Sequence, residues 1–383
     1  MTVWNDATHS DLLAHTTWMA NTAVQIHLNE RATGDPARDW LSSWAHRWFV
    51  GNDLRVLVLG CGEGWLERAL ADWPFVARID AVDFAEHAIA RAREAAKDIP
   101  KIHYGVVDLN RDELPGDTYD VVVAHSVLHH VENLEHGYEQ IKRAMRANAT
   151  LVINEYVGPN RFQYSDDVLA IMNALLVCIA PGETRRRPTV EEMLASDPTE
   201  AVRAEEVLSV AERQFELLER KDLGGTLLQH LLFGIVQNFR FEVPRERSLL
   251  EMLCTIEAAL VDSGRIPSDF VIAAARKRGA AVTKQDRPLP PRPEAANDVE
   301  RDPLARLPVT KRLSGNKNLQ PHHLRLLRLA VLSQQPHRAN LFEENARIGR
   351  LGRSDPWEWL LSLAPRDPGV RALLETAATL APA

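Results

Sequence analysis

Val56-Leu-Val-Leu-Gly60-Cys-Gly62-Glu-Gly64-Trp65 is a short apolar run that ends in glycines at every second position. It reads as a buried strand that turns directly into a helix. Glycine is needed in such a turn because the backbone takes unusual angles and a side chain would hold a ligand away from it. Taken alone, the turn is a weak signal, since a tight strand-to-helix connection with no ligand would look the same. Its spacing says more. The dinucleotide fingerprint G-x-G-x-x-G puts a third small residue where helix and strand pack closely, and here that position is Trp65. A bulky indole disfavours a nicotinamide or flavin dinucleotide and suits a cofactor without a pyrophosphate.

Working outward, Val56 to Leu59, Ile79 to Val82, His103 to Val107, Val121 to Ala124 and Leu151 to Ile153 are apolar runs bounded by charges or turn residues. Continuous apolar character is what strands buried on both faces of a parallel sheet require. Amphipathic segments lie between them at Trp65 to Ala71, Ala85 to Ala96 and Leu134 to Ala147. Strand and helix in alternation predict an α/β, doubly wound, mostly parallel sheet. Further strands are expected near Phe215 to Glu219 and Phe270 to Ala275, with helices near 226 to 239 and 246 to 262.

The flanks divide the chain. Residues 1–50 read as an N-terminal helical cap, in which Trp40, Trp44 and Trp48 form a core-facing stripe. Residues 51–284 form the main domain, with a helical insertion at about 158–212 capping the active end of the sheet. Within the insertion, Arg185-Arg186-Arg187 reads as a solvated loop. Prolines crowd residues 285–308, an extended linker, and residues 309–383 suggest a small helical appendage suited to a protein partner or self-association. His322-His323 in that appendage reads as a surface pair, since no third metal ligand is spaced nearby.

Composition removes several classes. A formal net charge of −8 and a pI near 6.0 give no electrostatic footprint for nucleic acid or an anionic membrane. Three scattered cysteines, Cys61, Cys178 and Cys254, suggest neither a disulfide framework nor a thiolate metal site and fit a reducing cytoplasm. The first residues lack the pattern of a secretory signal, and the longest apolar stretch, Val168 to Ala180, falls short of the ~20 residues that span a bilayer.

Chemistry concentrates at strand ends. Asp83 closes the second strand 23 positions after Gly60, where a carboxylate can accept hydrogen bonds from both hydroxyls of a ribose. Asp80 is its rival but sits inside the strand. Asp108 closes the third strand, suited to an adenine amino group while Leu109 and its apolar neighbours flank the ring; alone it would read as a helix cap.

The order of the Gly-rich turn, Asp83, Asp108 and Tyr119-Asp120-Val-Val-Val-Ala-His125-Ser126-Val-Leu128-His129-His130 resembles the class I S-adenosylmethionine methyltransferases over residues 50 to 160. A segment Glu155-Tyr156-Val157-Gly158-Pro159-Asn160-Arg161-Phe162-Gln163 is similar to that of a bacterial subgroup, which extends the likeness to roughly residue 280. The resemblance implies S-adenosyl-L-methionine as cofactor, bound by Gly60, Cys61, Gly62, Asp83, Phe84, Asp108, Leu109 and His125. It implies methyl transfer to a small molecule, with an oxygen of a saccharide or secondary metabolite as first choice and no metal required. Candidate bases are His129, His130 and Glu155, His125 also lying near the expected site, and the acceptor is expected to meet Tyr156, Asn160, Arg161 and Gln163. His129 and His130 can equally cap or pack the helix after the fourth strand. One departure is Arg146-Ala-Asn148-Ala-Thr150 in place of the family's Lys-Pro-Gly-Gly turn, where Asn148 is expected to supply a left-handed turn residue. Two rivals stand beside this reading: a nucleotide-dependent oxidoreductase, and a catalytically silent cofactor-binding module whose tail recruits a partner.

Overall fold

Leu54–Leu59 forms strand β1, and all but Arg55 of it is buried, because parallel neighbours flank it on both edges and helices cover both faces. The computed structural model describes residues 17–280 and 287–288. The proposed linker, the appendage with His322-His323, and the first sixteen residues of the proposed cap lie outside the described residues, apart from Arg287 and Pro288.

In chain order, helices α1 (Thr22–Thr33) and α2 (Trp40–Trp48) precede β1. Then follow α3 (Trp65–Ala71), β2 (Val76–Asp83), α4 (Glu86–Ala95), β3 (Ile102–Val106), β4 (Tyr119–His125), α5 (Leu134–Ala144) and β5 (Met145–Tyr156). The remaining elements are α6 (Asp166–Ile179), α7 (Val190–Ser196), α8 (Val207–Gln214), β6 (Phe215–Gly224), α9 (Leu228–Leu232), α10 (Pro244–Asp262) and β7 (Phe270–Lys277). The seven strands lie in the order β3-β2-β1-β4-β5-β7-β6, parallel except that β7 runs antiparallel to both of its neighbours. The expected doubly wound, mostly parallel sheet is present.

Side-chain alternation splits the core into two layers. Val56, Val58, Ile79, Ala81, Val121 and Val123 face one cluster with residues of α1, α2, α3, α6, α9 and α10. Leu57, Leu59, Val82, Val122, Ala124, Leu151 and Ile153 face another with residues of α5 and α8. Each fully buried aliphatic side chain contributes about 1.5–3 kcal/mol relative to exposure, so these strands cannot slip register without losing both layers. Trp44 and Trp48 are buried as expected, and their indole N–H groups donate to the Ala32 carbonyl and to Glu219. Trp40 is only half-buried and leaves the stripe for the site described below. Helix α1 packs on α10 and β6, so the N-terminal helices belong to the main core.

Two local expectations change. Arg146 to Thr150 is part of β5, and Asn148 has no positive φ; the register between β4 and β5 instead shifts between Tyr119 and Val121. The left-handed residue here is Asp117, just before β4 (φ 46°), so the turn geometry moved to the neighbouring strand's start. Arg185 is not a solvated loop residue. Its guanidinium donates to the carbonyls of His230, Leu231 and Phe233, which caps the C-terminus of α9 and ties the insertion to it. Arg186 and Arg187 pair with Glu192 and Asp166. Among the described residues, Cys61, Cys178 and Cys254 are in no disulfide. No helix among the described residues is long and apolar enough to cross a membrane.

Candidate cofactor site and its histidine cluster

In a doubly wound sheet the ligand crevice opens where strand order reverses, here between β1 and β4. The turns after those two strands meet closely. Gly60 (φ 67°) sits so near Val127 that a Cβ on it would lie 2.3 Å from the Val127 Cβ. Gly62 (φ 51°) differs: a Cβ there would meet nothing within 4 Å, because it would stand in the cavity. The amides of Gly60 and Cys61 donate to the Val82 carbonyl, and the amide of Gly62 donates to Asp83 Oδ2 at 2.9 Å. The glycine turn is thereby fastened to the end of β2.

A cavity of about 200 Å3 opens at this point, lined among others by Gly60, Gly62, Asp83, Phe84, Asp108 and Leu109. Those six come from three successive strand ends and are six of the eight residues expected to hold a cofactor. Asp83 is fixed by two amides, Gly62 on Oδ2 and Ala85 on Oδ1. Burial pushes its carboxyl up, against hydrogen bonds from the Ala85, Gly62 and Phe84 amides. Asp108 Oδ1 accepts from the Asn110 amide and side chain, which orients it at the cavity wall. Asp80, the rival acid, is bound to Arg78 and lines a separate groove on β2 and β3.

The other two expected contacts lie elsewhere. Cys61 is buried outside the lining, and burial raises its thiol far above the ordinary range. His125 stands between Trp40 and Trp65, with ring centroids 5.6 and 5.5 Å away. That aromatic wall joins the N-terminal helices to the glycine turn. Sequence spacing missed the lining residues Glu63, Arg91, Ser126 and Thr199. Glu63 and Arg91 form an ion pair at 2.8 Å across the rim, and only the chain's three-dimensional path brings Thr199 there.

Beyond β4, a single turn of 3-10 helix carries Leu128–His130. Glu155 on β5 is fully buried and reaches under this turn. Its Oε1 accepts from the amides of Val127 (2.6 Å) and Leu128 (2.7 Å), and its Oε2 meets His129 Nδ1 at 2.8 Å. Every oxygen of Glu155 is thus occupied in holding the turn. Burial opposes charging of His129, but Glu155 and Glu200 outweigh it and hold the imidazole above its ordinary range. His130 lines the cavity, and burial together with His129 keeps it well below that range, hence neutral. Its Nδ1 lies 3.1 Å from Thr199 Oγ1.

The segment expected to meet the acceptor is engaged with the protein. Tyr156 is buried, its hydroxyl donating to the Pro159 carbonyl and its ring packed against His129, Phe162 and Phe270. Asn160 Oδ1 accepts from the Glu205 amide, Arg161 donates to the Glu200 carbonyl, and Gln163 donates to the carbonyls of Arg161 and Pro188. Together they fasten the insertion over the histidine turn, and none of the four lines the cavity.

Residues 57–153 match the family described as a methyltransferase domain. The chain is 27% identical over 127 residues to malonyl-[acyl-carrier protein] O-methyltransferase of Bacillus anthracis, an alignment that covers 33% of this chain and 46% of that protein. It is 30% identical over 111 residues to the protein of the same name from Halalkalibacterium halodurans, covering 28% and 40%. The chain therefore aligns with less than half the length of these curated relatives. A solved S-adenosylmethionine dependent methyltransferase from Mesorhizobium loti aligns over 62% of this chain and 97% of its own, at 19% identity and a TM-score of 0.35. A likeness that weak leaves the fold standing on its own strand order.

Proposed function

We propose that this chain is an S-adenosylmethionine-dependent methyltransferase that transfers a methyl group to an oxygen of a small-molecule acceptor such as a saccharide or secondary metabolite. The observation that carries it is one cavity lined by Gly62, Asp83 and Asp108 together with His130 and Thr199. The residues fit the cofactor: Gly62 leaves room that a Cβ would take, and Asp83 is fixed where two ribose hydroxyls can donate to it. Asp108 would accept from the adenine amino group while Leu109 packs on the ring. Trp65 in place of a third small residue favours this over a dinucleotide.

When bound, S-adenosylmethionine supplies an electrophilic methyl group on a sulfonium sulfur. The protein's part is to align an acceptor oxygen with it, and alignment alone can be worth roughly 7–11 kcal/mol. His130 lines the cavity, with His129 and Glu200 next to it, and this cluster would assist loss of the acceptor's proton. Glu155 acts through His129, whose ring it orients. Asn160, Arg161 and Gln163 shape the acceptor side by holding the insertion in place. The two relatives' names both specify O-methyltransferases, which agrees with an oxygen acceptor. A cytoplasmic setting with reduced cysteines belongs to the same reading.

Incubation with tritium-labelled S-adenosylmethionine and a polar metabolite extract tests it. Label is expected in small molecules that mass spectrometry identifies as O-methylated. Label found only in protein or nucleic acid, or in no product, overturns the reading.

A further inference from the structure

His129 and His130 are consecutive, and both turn their Nε2 atoms toward Glu200 on the segment between α7 and α8. Glu200 Oε1 lies 3.7 Å from His129 Nε2, and Oε2 lies 3.9 Å from His130 Nε2. One ligand atom from each of the three falls within 4.8 Å of the others. Two imidazole nitrogens and a carboxylate oxygen around a tetrahedral ion, at bonds of about 2.1 Å, stand about 3.4 Å apart. The two histidine-to-carboxylate separations exceed that spacing by a few tenths of an ångström, and small side-chain rotations would bring one carboxylate oxygen and both ring nitrogens onto a common ion.

The outer contacts have the form that metal-bound imidazoles require, in which the second ring nitrogen is held by a carboxylate or other polar group. Glu155 Oε2 holds His129 Nδ1 at 2.8 Å, and Thr199 Oγ1 lies 3.1 Å from His130 Nδ1. Thr199 is fixed in turn by Asp197, which accepts from both its amide and its hydroxyl. The Val202 amide donates to the His129 carbonyl at 3.0 Å, so the strands of chain that carry the ligands are pinned to each other. Arg161 is bonded to the Glu200 backbone carbonyl rather than to its carboxylate in this arrangement.

We infer that His129, His130 and Glu200 form a binding site for a divalent first-row transition-metal ion at the acceptor end of the cavity. Imidazole nitrogen with one carboxylate suits zinc and its neighbours rather than magnesium or calcium, which prefer all-oxygen sets. Three protein ligands leave a coordination position open, and of the three His130 lies on the cavity wall. The bland alternative is a protonated His129 bridging Glu155 and Glu200, with no metal at all.

Ion binding is read on the full chain after chelator treatment, without cofactor or acceptor, by titration with Co2+ followed by its visible absorption, and with Zn2+ followed by calorimetry and elemental analysis. One ion per chain is expected at micromolar affinity or tighter. Glu200→Gln should weaken binding at least tenfold, with circular dichroism confirming its fold, and His130→Asn provides the same test should Glu200→Gln fail to fold. Absence of saturable binding by the unaltered chain, or equal binding by both variants, overturns the site. Because neither cofactor nor acceptor is present, failure here leaves the methyl-transfer reading intact, and failure of methyl transfer leaves the metal site intact.

Discussion

The Gly62 amide donates to Asp83 Oδ2 at 2.9 Å, which couples the turn after β1 to the end of β2. One carboxylate thereby shapes the glycine turn and faces the cavity. Asp83→Ala should weaken S-adenosylmethionine binding by at least about 1.5 kcal/mol, since hydrogen bonds to a charged group are typically worth ~1.5–3 kcal/mol. Calorimetry reads the change directly. Unaltered affinity in a folded variant would remove Asp83 from the ribose site.

The two glycines of the turn should separate stability from binding. Gly60→Ala places a Cβ 2.3 Å from that of Val127 at a positive φ, so it should cost about 2–4 kcal/mol of folding stability. Gly62→Ala meets no neighbour, so only its positive φ counts, about 1 kcal/mol, while its methyl group intrudes on the cavity. Cofactor affinity in Gly62→Ala should fall at least tenfold. Denaturant unfolding and calorimetry on both variants check the pair, and equal stability losses would contradict it.

Glu155→Ala removes a buried carboxylate that accepts from two amides and contacts His129. Loss of such a partner leaves buried donors unsatisfied and should cost about 3–5 kcal/mol. Glu155→Gln preserves the shape, so it should retain cofactor affinity within about threefold while losing most turnover, because His129 is no longer held by a carboxylate. Full turnover in Glu155→Gln would show that the pair is structural only.

Much of the fold was legible in the sequence because strands buried on both faces announce themselves as unbroken apolar runs. The ends of β1, β2 and β3 could be read as a cofactor wall since one helix plus one strand sets their spacing. Glu155 was legible as a site residue but not in its direction: its carboxylate turns inward to the Val127 and Leu128 amides, a pairing across 28 and 27 residues that no local period encodes. Glu200 left no signal at all, since the insertion's path over the sheet decides its position. Asn148 was misplaced for a related reason, because β5 begins at Met145 and the strand's polar start looks like a loop when its partners are unknown.

Stability should also carry a pH signature from Glu67, which is fully buried on α3 with no side-chain hydrogen-bond partner or salt bridge among the described residues to compensate its carboxylate. Burial pushes its carboxyl up to about 7 from an ordinary 4.5, against a backbone hydrogen bond and the charge of Arg68, with Asp83 adding to the shift; Cys61 and Tyr104 are its other titratable neighbours. A raised folded value means the folded chain holds the proton more tightly, so this contribution is fully present below pH 4.5 and is lost as pH rises to about 7. Glu67→Gln should therefore be more stable than the unaltered chain at pH 8, by at most about 3 kcal/mol, with the difference vanishing near pH 4. Urea unfolding at both pH values checks it. A gap that is constant with pH would mean Glu67 is ionised at no cost.

The central claim is that the cavity between the β1 and β4 turns holds S-adenosylmethionine, and a crystal structure of the chain with S-adenosylhomocysteine tests it most directly. The ribose hydroxyls should lie on Asp83, the adenine amino group near Asp108, and the sulfur toward His130 and Thr199. A ligand bound elsewhere, or a ribose turned away from Asp83, would contradict the account.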